Sequence, residues 1–285
     1  MQVTLRMAKR DDATPAGAIV FEGFKAISSK HNFPWDMPSP EVATGLIGGL
    51  LANSGFYGVI AESGGKIIGS NFLDLRNPIA GIGPITVDPE AQDKSIGRRL
   101  MEAVLERAEE EGVAGVRLVQ AAYHNRSLAL YTKLGFDCRE QLSKFYGTPP
   151  QITLEGYRVR SATMADVEAC NALCARVHGH DRGGELEDAI AQGEARVVEH
   201  LGCISGYTTG IAFFGHTVGE TNSEIKALIG SMREIGGGGF LVPTRNGDLM
   251  RWCLNNGLKI VHQMTLMTIG LYNEPQGAWI PSVLY

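Results

Sequence analysis

The chain has 285 residues and a mass of 30.7 kDa, which predicts two domains of ordinary size. Hydrophobic residues make up 44% and charged residues 20%, a balance that excludes a disordered chain and a membrane protein. The net charge of -5 and the pI near 5.8 argue against nucleic acid or an anionic membrane surface as a partner. Glycine is in excess, with 36 residues, where average usage is about 7%. The excess has no collagen period, so it predicts many turns and close backbone approaches.

The five cysteines form no C-x-x-C pair. Cys170 and Cys174 lie one turn apart on a predicted helix, where two core-facing side chains are favoured over a pair of metal ligands. No charged-then-apolar leader follows Met1. We therefore expect free thiols in a reducing, cytoplasmic compartment.

The first half alternates strand and helix signals. Strands are predicted at residues 3–7, 58–62, 66–75, 79–87 and 113–119, with a hairpin turn at 63–65 and an interruption at Gly83-Pro84. Helices are predicted at residues 16–27, 96–108 and 127–134, the last two ending at Gly112 and Gly135. Residues 31–38 are predicted to form a loop.

After a linker signal at residues 146–151, the pattern starts again. Residues 5–8 and 159–162 share a strand-to-turn pattern, and Asp12 and Asp166 follow at the same spacing. A helix at 246–254 with the stop Gly257 matches residues 124–134 with Gly135. We interpret this as a diverged internal repeat, with domains at 1–147 and 156–285.

One loop has the composition of an anion site. Residues 87–100 lie between a predicted strand and a predicted helix, where backbone N–H groups and a helix N-terminus can receive a pyrophosphate. Arg98 and Arg99 lie at the positive end of the helix dipole, which is unfavourable, and a bound anion would offset this cost. Taken alone, a strand–helix connection with a solvated basic turn explains the loop about as well.

A second motif, Leu130 to Phe136, supports the anion site. Together the two segments resemble the acetyl-CoA signature of the GNAT superfamily of acyl-CoA-dependent N-acetyltransferases. Gln92, Ser95 and Gly97 stand at the three positions of the family's Q/R-x-x-G-x-G/A loop. The family's later helix, N-x-x-A-x-x-L-Y-x-K-x-G-F, is matched by Leu130, Tyr131, Lys133, Gly135 and Phe136, with His124 for Asn and Ser127 for Ala. The resemblance covers residues 3 to 145. Residues 83–89 and 271–275 look like a bacterial tandem-domain subgroup with a degenerate second GNAT-like domain.

This resemblance implies an α/β (α+β) protein with two GNAT-like domains, each a mixed, mostly antiparallel twisted sheet flanked by helices. It implies transfer of an acetyl group from acetyl-CoA to a primary amine by direct attack in a ternary complex. The acceptor would be a small-molecule or peptide amine, and the resemblance leaves a homodimer open. A catalytically inactive acyl-CoA-binding sensor or scaffold is the alternative, and an interaction module without CoA binding is a third.

The resemblance also implies roles for particular residues. Tyr131 stands where the family places the acid that protonates the departing thiolate. The implied cofactor-binding residues are Ile85, Thr86, Val87, Gln92, Asp93, Lys94, Ser95, Ile96, Gly97, Arg98, His124, Ser127 and Tyr131. Residues 85–87 would pair with the pantetheine through their main chain. Ser95 replaces the middle glycine and weakens binding if that position needs a positive φ. At His124, a polar contact to the pantetheine arm is favoured over a proton shuttle.

The general base is not determined by the sequence. Ordered water is one alternative, and five side chains are others: Glu22, His31, Asp36, Asp74 and His124. No metal site is predicted, because residues 178–181 favour a polar turn. Residues 236–239 lack the phosphate-loop pattern and favour the start of a strand.

The second half contains no Q/R-x-x-G-x-G loop, so we expect no cofactor chemistry there. It either shapes the acceptor site or serves as a structural cap. Its candidate acceptor residues are Arg245, Tyr272, Asn273 and Glu274.

Overall fold

The computed structural model describes residues 2–92 and 94–285, so the predicted cofactor-binding residue Asp93 lies outside the described residues. The first half contains, in chain order, β1 (Thr4–Met7), α1 (Ala13–Lys30), α2 (Pro40–Ala52), β2 (Phe56–Ser63), β3 (Lys66–Asp74), β4 (Ile79–Ile82), β5 (Thr86–Val87), α3 (Ile96–Glu110), β6 (Gly115–Ala121), α4 (Asn125–Lys133) and β7 (Asp137–Tyr146). The second half contains β8 (Tyr157–Ser161), α5 (Val167–His178), α6 (Gly183–Ala191), β9 (Arg196–His200), β10 (Cys203–Thr208), β11 (Thr217–Gly219), α7 (Asn222–Gly230), β12 (Phe240–Pro243), α8 (Gly247–Asn255), β13 (Lys259–Gly270) and β14 (Ala278–Ile280).

The two halves repeat the same local structure where each begins. Arg6 makes a two-pronged ion pair with Asp12, at 2.8 and 2.9 Å, and Arg160 pairs with Asp166 in the same way at 2.8 Å. Each arginine also donates through Nε to a glutamate of a neighbouring strand, Glu62 or Glu199. These matched networks support the predicted repeat. The division at 147 and 156 stays a prediction.

The strands form two sheets, and the halves share the larger one. It has nine strands in the order β1-β2-β3-β4-β6-β13-β7-β12, with β5 pairing to β3. The smaller sheet has the order β14-β11-β10-β9-β8. Its strand pairs are all antiparallel, and in the larger sheet only β4 and β6 are parallel among the described strands. Helices pack against both sheets, as predicted.

The two halves exchange strands β7 and β13 in the larger sheet. Strand β13 of the second half lies between β6 and β7 of the first, and β7 lies between β13 and β12. The β13–β7 ladder runs from Lys259 opposite Tyr146 to Thr268 opposite Asp137. Each half therefore supplies a strand that pairs with strands of the other half, and these backbone hydrogen bonds join the two halves in one sheet.

Two glycine-rich regions have a structural cause. Gly17 on α1 lies against α2, where a Cβ would collide with the backbone of Thr44. Gly237, Gly238 and Gly239 all have positive φ, and a Cβ on Gly239 would collide with the carbonyl oxygen of Phe145. The run at 236–239 leads directly into β12, as predicted for the start of a strand.

None of the helices in residues 2–92 and 94–285 is both long and apolar enough to cross a membrane. The five cysteines are free thiols, and Cys170 and Cys174 are both buried. Both cysteines belong to the apolar core of the second half, between α5 and α6.

Candidate active site

A gap in the large sheet forms the centre of the site. Strand β4 pairs with β6 only from Ile79 opposite Gly115 to Gly81 opposite Arg117. The chain then turns through Gly83-Pro84, and β5 pairs with β3 alone. The interruption expected at Gly83-Pro84 is therefore present, and the edge of β5 that faces β6 has no strand partner among the described residues.

A cavity of about 590 Å³ occupies this gap. Eleven of the thirteen predicted cofactor-binding residues line it: Ile85, Thr86, Val87, Gln92, Ser95, Ile96, Gly97, Arg98, His124, Ser127 and Tyr131. Lys94 is not among the lining residues that the structure describes. The cavity continues from the start of α3, past β5 and β6, to residues of the second half.

One end of the cavity is suited to a polyanion. Ser95 is the N-cap of α3, has a φ of +58°, and makes no side-chain cap hydrogen bond. The first turn of α3 contains no acidic residue, so its N–H groups face the cavity without a carboxylate beside them. Three cations, Arg98, Arg126 and Lys133, line the cavity near this turn. A pyrophosphate would find a helix N-terminus and positive charge together.

His124 caps the helix that carries Tyr131. Its Nδ1 accepts a hydrogen bond from the backbone N–H of Ser127 at 3.0 Å. Burial lowers the pKa of the imidazole, so the ring is neutral and carries its hydrogen on Nε2. In the second half, Asn246 caps α8 through the same bond to Leu249, at 3.2 Å. His124 therefore caps α4 as Asn246 caps α8, and its Nε2–H is available to a ligand.

Tyr131 is a buried phenol on the wall of the cavity. Burial raises its pKa to about 12, and a hydrogen bond with the Ser127 side chain offsets only part of that rise. The group is therefore protonated throughout the neutral range, as a proton donor must be. Cys253 takes the corresponding place on α8, where it is buried in the apolar core.

Two polar side chains on the strands that border the gap have no hydrogen-bond partner among the described residues. They are Thr86, through Oγ1, and Gln120, through both Oε1 and Nε2, on strands on opposite sides of the gap. Thr86 is 7% exposed and Gln120 is 6% exposed. Burying such groups without partners is costly, which points to a polar ligand in the cavity. Gln120 was not predicted from the sequence. It lies on the same face of β6 as Val116 and Leu118, and a polar residue on an otherwise apolar strand face is a signal that could have identified it.

The opposite end of the cavity combines both halves. It is lined by Asp36, Met37 and Tyr123 of the first half and by Phe213, Phe214 and Met264 of the second. Sequence reasoning proposed Asp36 only as one of several bases and missed the other five. The second-half residues could not be identified from sequence, because long-range packing alone brings them here.

Several predicted residues lie elsewhere. Of the candidate bases, Asp36 and His124 line the cavity, whereas Glu22, His31 and Asp74 are not among the described residues that line it. Asp74 is instead paired with Arg76 at 2.5 Å.

The four candidate acceptor residues of the second half are also absent from the described lining. Arg245 is held by Glu140 and Glu274, and the Asn273 side chain donates to the carbonyl of His178. The Arg117 guanidinium lies 5.2 Å from the centre of the Tyr272 ring. The polar groups of Arg245, Asn273 and Glu274 thus contact other parts of the fold, whereas the Tyr272 hydroxyl has no hydrogen-bond partner among the described residues.

Comparison with known proteins identifies the family. The family model described as "Acetyltransferase (GNAT) family" matches residues 22–136. The ribosomal protein bS18-alanine N-acetyltransferase of Escherichia coli (strain K12) is 36% identical over 120 residues, which are 41% of this chain and 74% of that enzyme. The chain belongs to the GNAT family of acetyltransferases. Acetyl-CoA is the acetyl donor of this family, so the predicted family, enzyme class and cofactor are confirmed.

Other GNAT relatives define how far the likeness extends. The mycothiol acetyltransferase of Nocardia farcinica is 36% identical over 63 residues, which are 22% of this chain and only 21% of that enzyme. A crystal structure of an acetyltransferase from Pyrococcus horikoshii has a TM-score of 0.76 at 18% identity, over 97% of this chain and 94% of that one. A tandem GNAT protein from the clavulanic acid biosynthesis pathway has a TM-score of 0.57 at 13% identity, over 94% and 98%. At these identities the two structures show the fold alone, and they show it over almost the whole chain.

Proposed function

We propose that this GNAT protein transfers the acetyl group of acetyl-CoA to a primary amine by direct attack in a ternary complex. The observation that carries the proposal is the single cavity that joins the basic start of α3, the open edge of β5 and the protonated Tyr131. Such a cavity places a thioester and an amine together, which replaces a bimolecular encounter by a reaction between bound groups.

The cofactor would lie along the gap in the sheet. Its pyrophosphate would meet the N-terminus of α3 near Ser95 and Arg98, and its pantetheine arm would pair with the main chain of residues 85–87. Thr86 and Gln120 would supply hydrogen bonds from the two sides of the gap. These residues supply positioning and charge, while acetyl-CoA supplies the activated acyl group.

The reaction needs three further contributions. The neutral amine nitrogen attacks the thioester carbon, and a backbone N–H of residues 85–87 would stabilise the oxyanion that forms. When the C–S bond breaks, Tyr131 gives its proton to the sulfur. The proton lost by the attacking nitrogen passes to water, since Asp36, the carboxylate of the lining, is held in an ion pair with Lys144 at 2.7 Å.

The test compares Tyr131→Phe with wild type for acetyl-CoA turnover and for acetyl-CoA binding. We expect the rate to fall by about 10²–10⁴ while the thermal shift produced by acetyl-CoA is kept. Tyr146→Phe is the control, because Tyr146 is 51% exposed and lies outside the cavity lining. If wild type binds acetyl-CoA but acetylates no amine at any pH up to 9, the protein is the inactive sensor or scaffold.

The second half would act as an acceptor-shaping domain without cofactor chemistry of its own. The counterpart of α3 in the second half is α7, which has 9 residues instead of 15. Among the described residues, side chains of the second half line the cavity only at the end away from α3. The free thiols and the absence of a membrane-crossing helix in the described residues fit a cytoplasmic protein. The apolar side chains Phe213, Phe214 and Met264 at the acceptor end of the cavity favour a small-molecule amine.

A further inference from the structure

The two ends of the cavity differ in charge. Arg98, Arg126 and Lys133 line the end that would receive the cofactor phosphates. At the other end Asp36 is the only formally charged side chain among the described lining residues. An acceptor that enters this end therefore meets one carboxylate of the described lining, and the Lys144 ammonium that pairs with it is not itself part of that lining.

Asp36 is fixed in place from both halves. Its Oδ1 accepts from the ammonium of Lys144 on β7 at 2.7 Å, and Nε2 of His262 on β13 lies 3.5 Å from the same oxygen. Burial alone would raise the pKa of the Asp36 carboxyl, but the nearby His262 ring and the Lys144 charge hold it below its usual value. The carboxylate is therefore ionised and immobile, as a group that orients an N–H donor should be.

Beyond the Lys144 and His262 contacts, the cavity wall near Asp36 is largely apolar and comes mostly from the second half. The Lys144 ammonium lies 4.6 Å from the centre of the Phe213 ring, which places that ring beside the ion pair. Phe214 meets Phe213 edge to face at 5.9 Å, and the backbone N–H of Val283 holds the Phe213 carbonyl at 2.8 Å. Met264 on β13 completes this wall.

From this arrangement we infer that the acceptor is a small monoamine with an apolar or aromatic body, whose amino group meets Asp36 and whose body contacts Phe213, Phe214 and Met264. The inference rests on the proposed function and names its substrate class. An amino acid would bring a carboxylate against Asp36, and a diamine would bury a second cation with no partner. A polypeptide N-terminus would have to thread its following residues past the aromatic wall.

Matched pairs of amines test the class directly. We would measure thiol release from acetyl-CoA by the full-length protein with 2-phenylethylamine against phenylalanine, and with hexylamine against 1,6-diaminohexane. Each pair differs only in one added charged group. We expect kcat/KM to be at least about tenfold higher for the monoamine of each pair, which corresponds to about 1.4 kcal/mol. A short alanine-initiated peptide should be a poorer acceptor than both monoamines.

Variants test whether the acceptor binds at this end of the cavity. Phe214→Ala should raise the KM for 2-phenylethylamine by about tenfold or more and leave the KM for acetyl-CoA within about twofold. Tyr146→Ala, the same kind of truncation outside the lining, is the control and should change neither KM.

Asp36→Asn should raise the amine KM as well, but it leaves Lys144 buried without its partner and threatens folding. The double variant Asp36→Asn with Lys144→Met removes both charges, so its folding can be checked by the acetyl-CoA thermal shift before the amine KM is read. Retention of the wild-type amine KM in this folded double variant would overturn the role of Asp36.

The outcomes separate this inference from the proposed function. If acetyl-CoA gives no thermal shift and no turnover, the proposed function fails. If acetyl-CoA binds but the diamine, the amino acid or the peptide is acetylated as well as or better than the monoamines, the inference is wrong and the function stands. If acetyl-CoA binds and none of these amines is acetylated, the monoamine class is likewise rejected.

Discussion

Ser95 is held in a conformation that serine resists, so replacing it with glycine should stabilise the protein. The residue has φ +58° and ψ 14°, in the left-handed region, at the turn that opens α3. Its hydroxyl makes no cap hydrogen bond, so Ser95→Gly removes no contact that the described helix start depends on. The family's loop has glycine at this position, and the positive φ supplies the physical reason.

The size of the gain follows from two opposing terms. A residue with a Cβ in the left-handed region costs about 1–2 kcal/mol, and glycine avoids this cost. Glycine also loses about 0.5–1 kcal/mol more chain entropy when it folds. The net stabilisation is therefore about 0.5–1 kcal/mol, which for a chain of this size raises the Tm by about 1–4 °C.

Thermal unfolding of the protein without acetyl-CoA measures the effect, and the Kd for acetyl-CoA provides the second readout. Since the fold itself bears the strain, the Tm should rise while the Kd stays within about twofold. Leu201→Gly is the matched control: Leu201 has φ +53° in the β9–β10 turn, is 89% exposed and lies outside the cavity lining. If Leu201→Gly raises the Tm and Ser95→Gly does not, Ser95 is not left-handed in solution and the reasoning is refuted. A tighter Kd at constant Tm would mean that the loop adopts this conformation only with its ligand.

Three other changes test the site. Gln120→Leu removes two buried polar atoms that have no partner among the described residues, so it should raise the Tm of the free protein by about 2–4 °C, which corresponds to about 1 kcal/mol. The same change should reduce the thermal shift produced by acetyl-CoA. A lower Tm would show that the amide has hydrogen-bond partners in the free protein. His124→Asn should keep the α4 cap and the turnover rate, whereas His124→Ala should cost about 1 kcal/mol of unfolding free energy; a large rate loss in the asparagine variant would restore His124 as a proton carrier. Because the pKa of Tyr131 is about 12, kcat should rise with pH as the amine loses its proton and should show no descending limb below about pH 10; a limb centred between pH 7 and 9 would exclude Tyr131 as the acid.

The sequence predicted best what is local in the chain. The strands and helices of the first half follow their periodicities, the break at Gly83-Pro84 lies where the β4–β6 ladder ends, and the paired motifs at Asp12 and Asp166 form the same ion pairs. The helix α2 was missed, although Ser39 caps it and Pro40 opens it. Its glycines suggested turns, yet a Cβ at Gly45 or Gly49 would meet nothing within 4 Å, so the fold does not require glycine there.

What the sequence could not predict depends on contacts between distant residues. Nothing in the sequence indicates that residues 259–270 enter the sheet between β6 and β7. The acceptor end of the cavity depends on that exchange, since Met264 and His262 reach it on β13. The sequence also does not show that the candidates Arg245 and Glu274 form an ion pair with each other.

The starts of α3 and α7 differ in a way that favours the predicted anion site in the first half only. In the second half, Thr221 and Glu224 form a capping box, in which Glu224 accepts from the Thr221 N–H at 2.9 Å and Thr221 accepts from Ser223. The start of α7 is thus already satisfied by the chain and carries a buried carboxylate, 2% exposed, which repels a phosphate. In the first half Ser95 makes no such bond, and the next turn brings Arg98 instead. In the first half the start of α3 has no side-chain cap from its N-cap residue, and Ser95 there has a strained positive φ. In the second half the capping box satisfies the start of α7. Under the proposed function, the first half would therefore bind the cofactor, and the second half would contribute side chains to the acceptor end of the cavity.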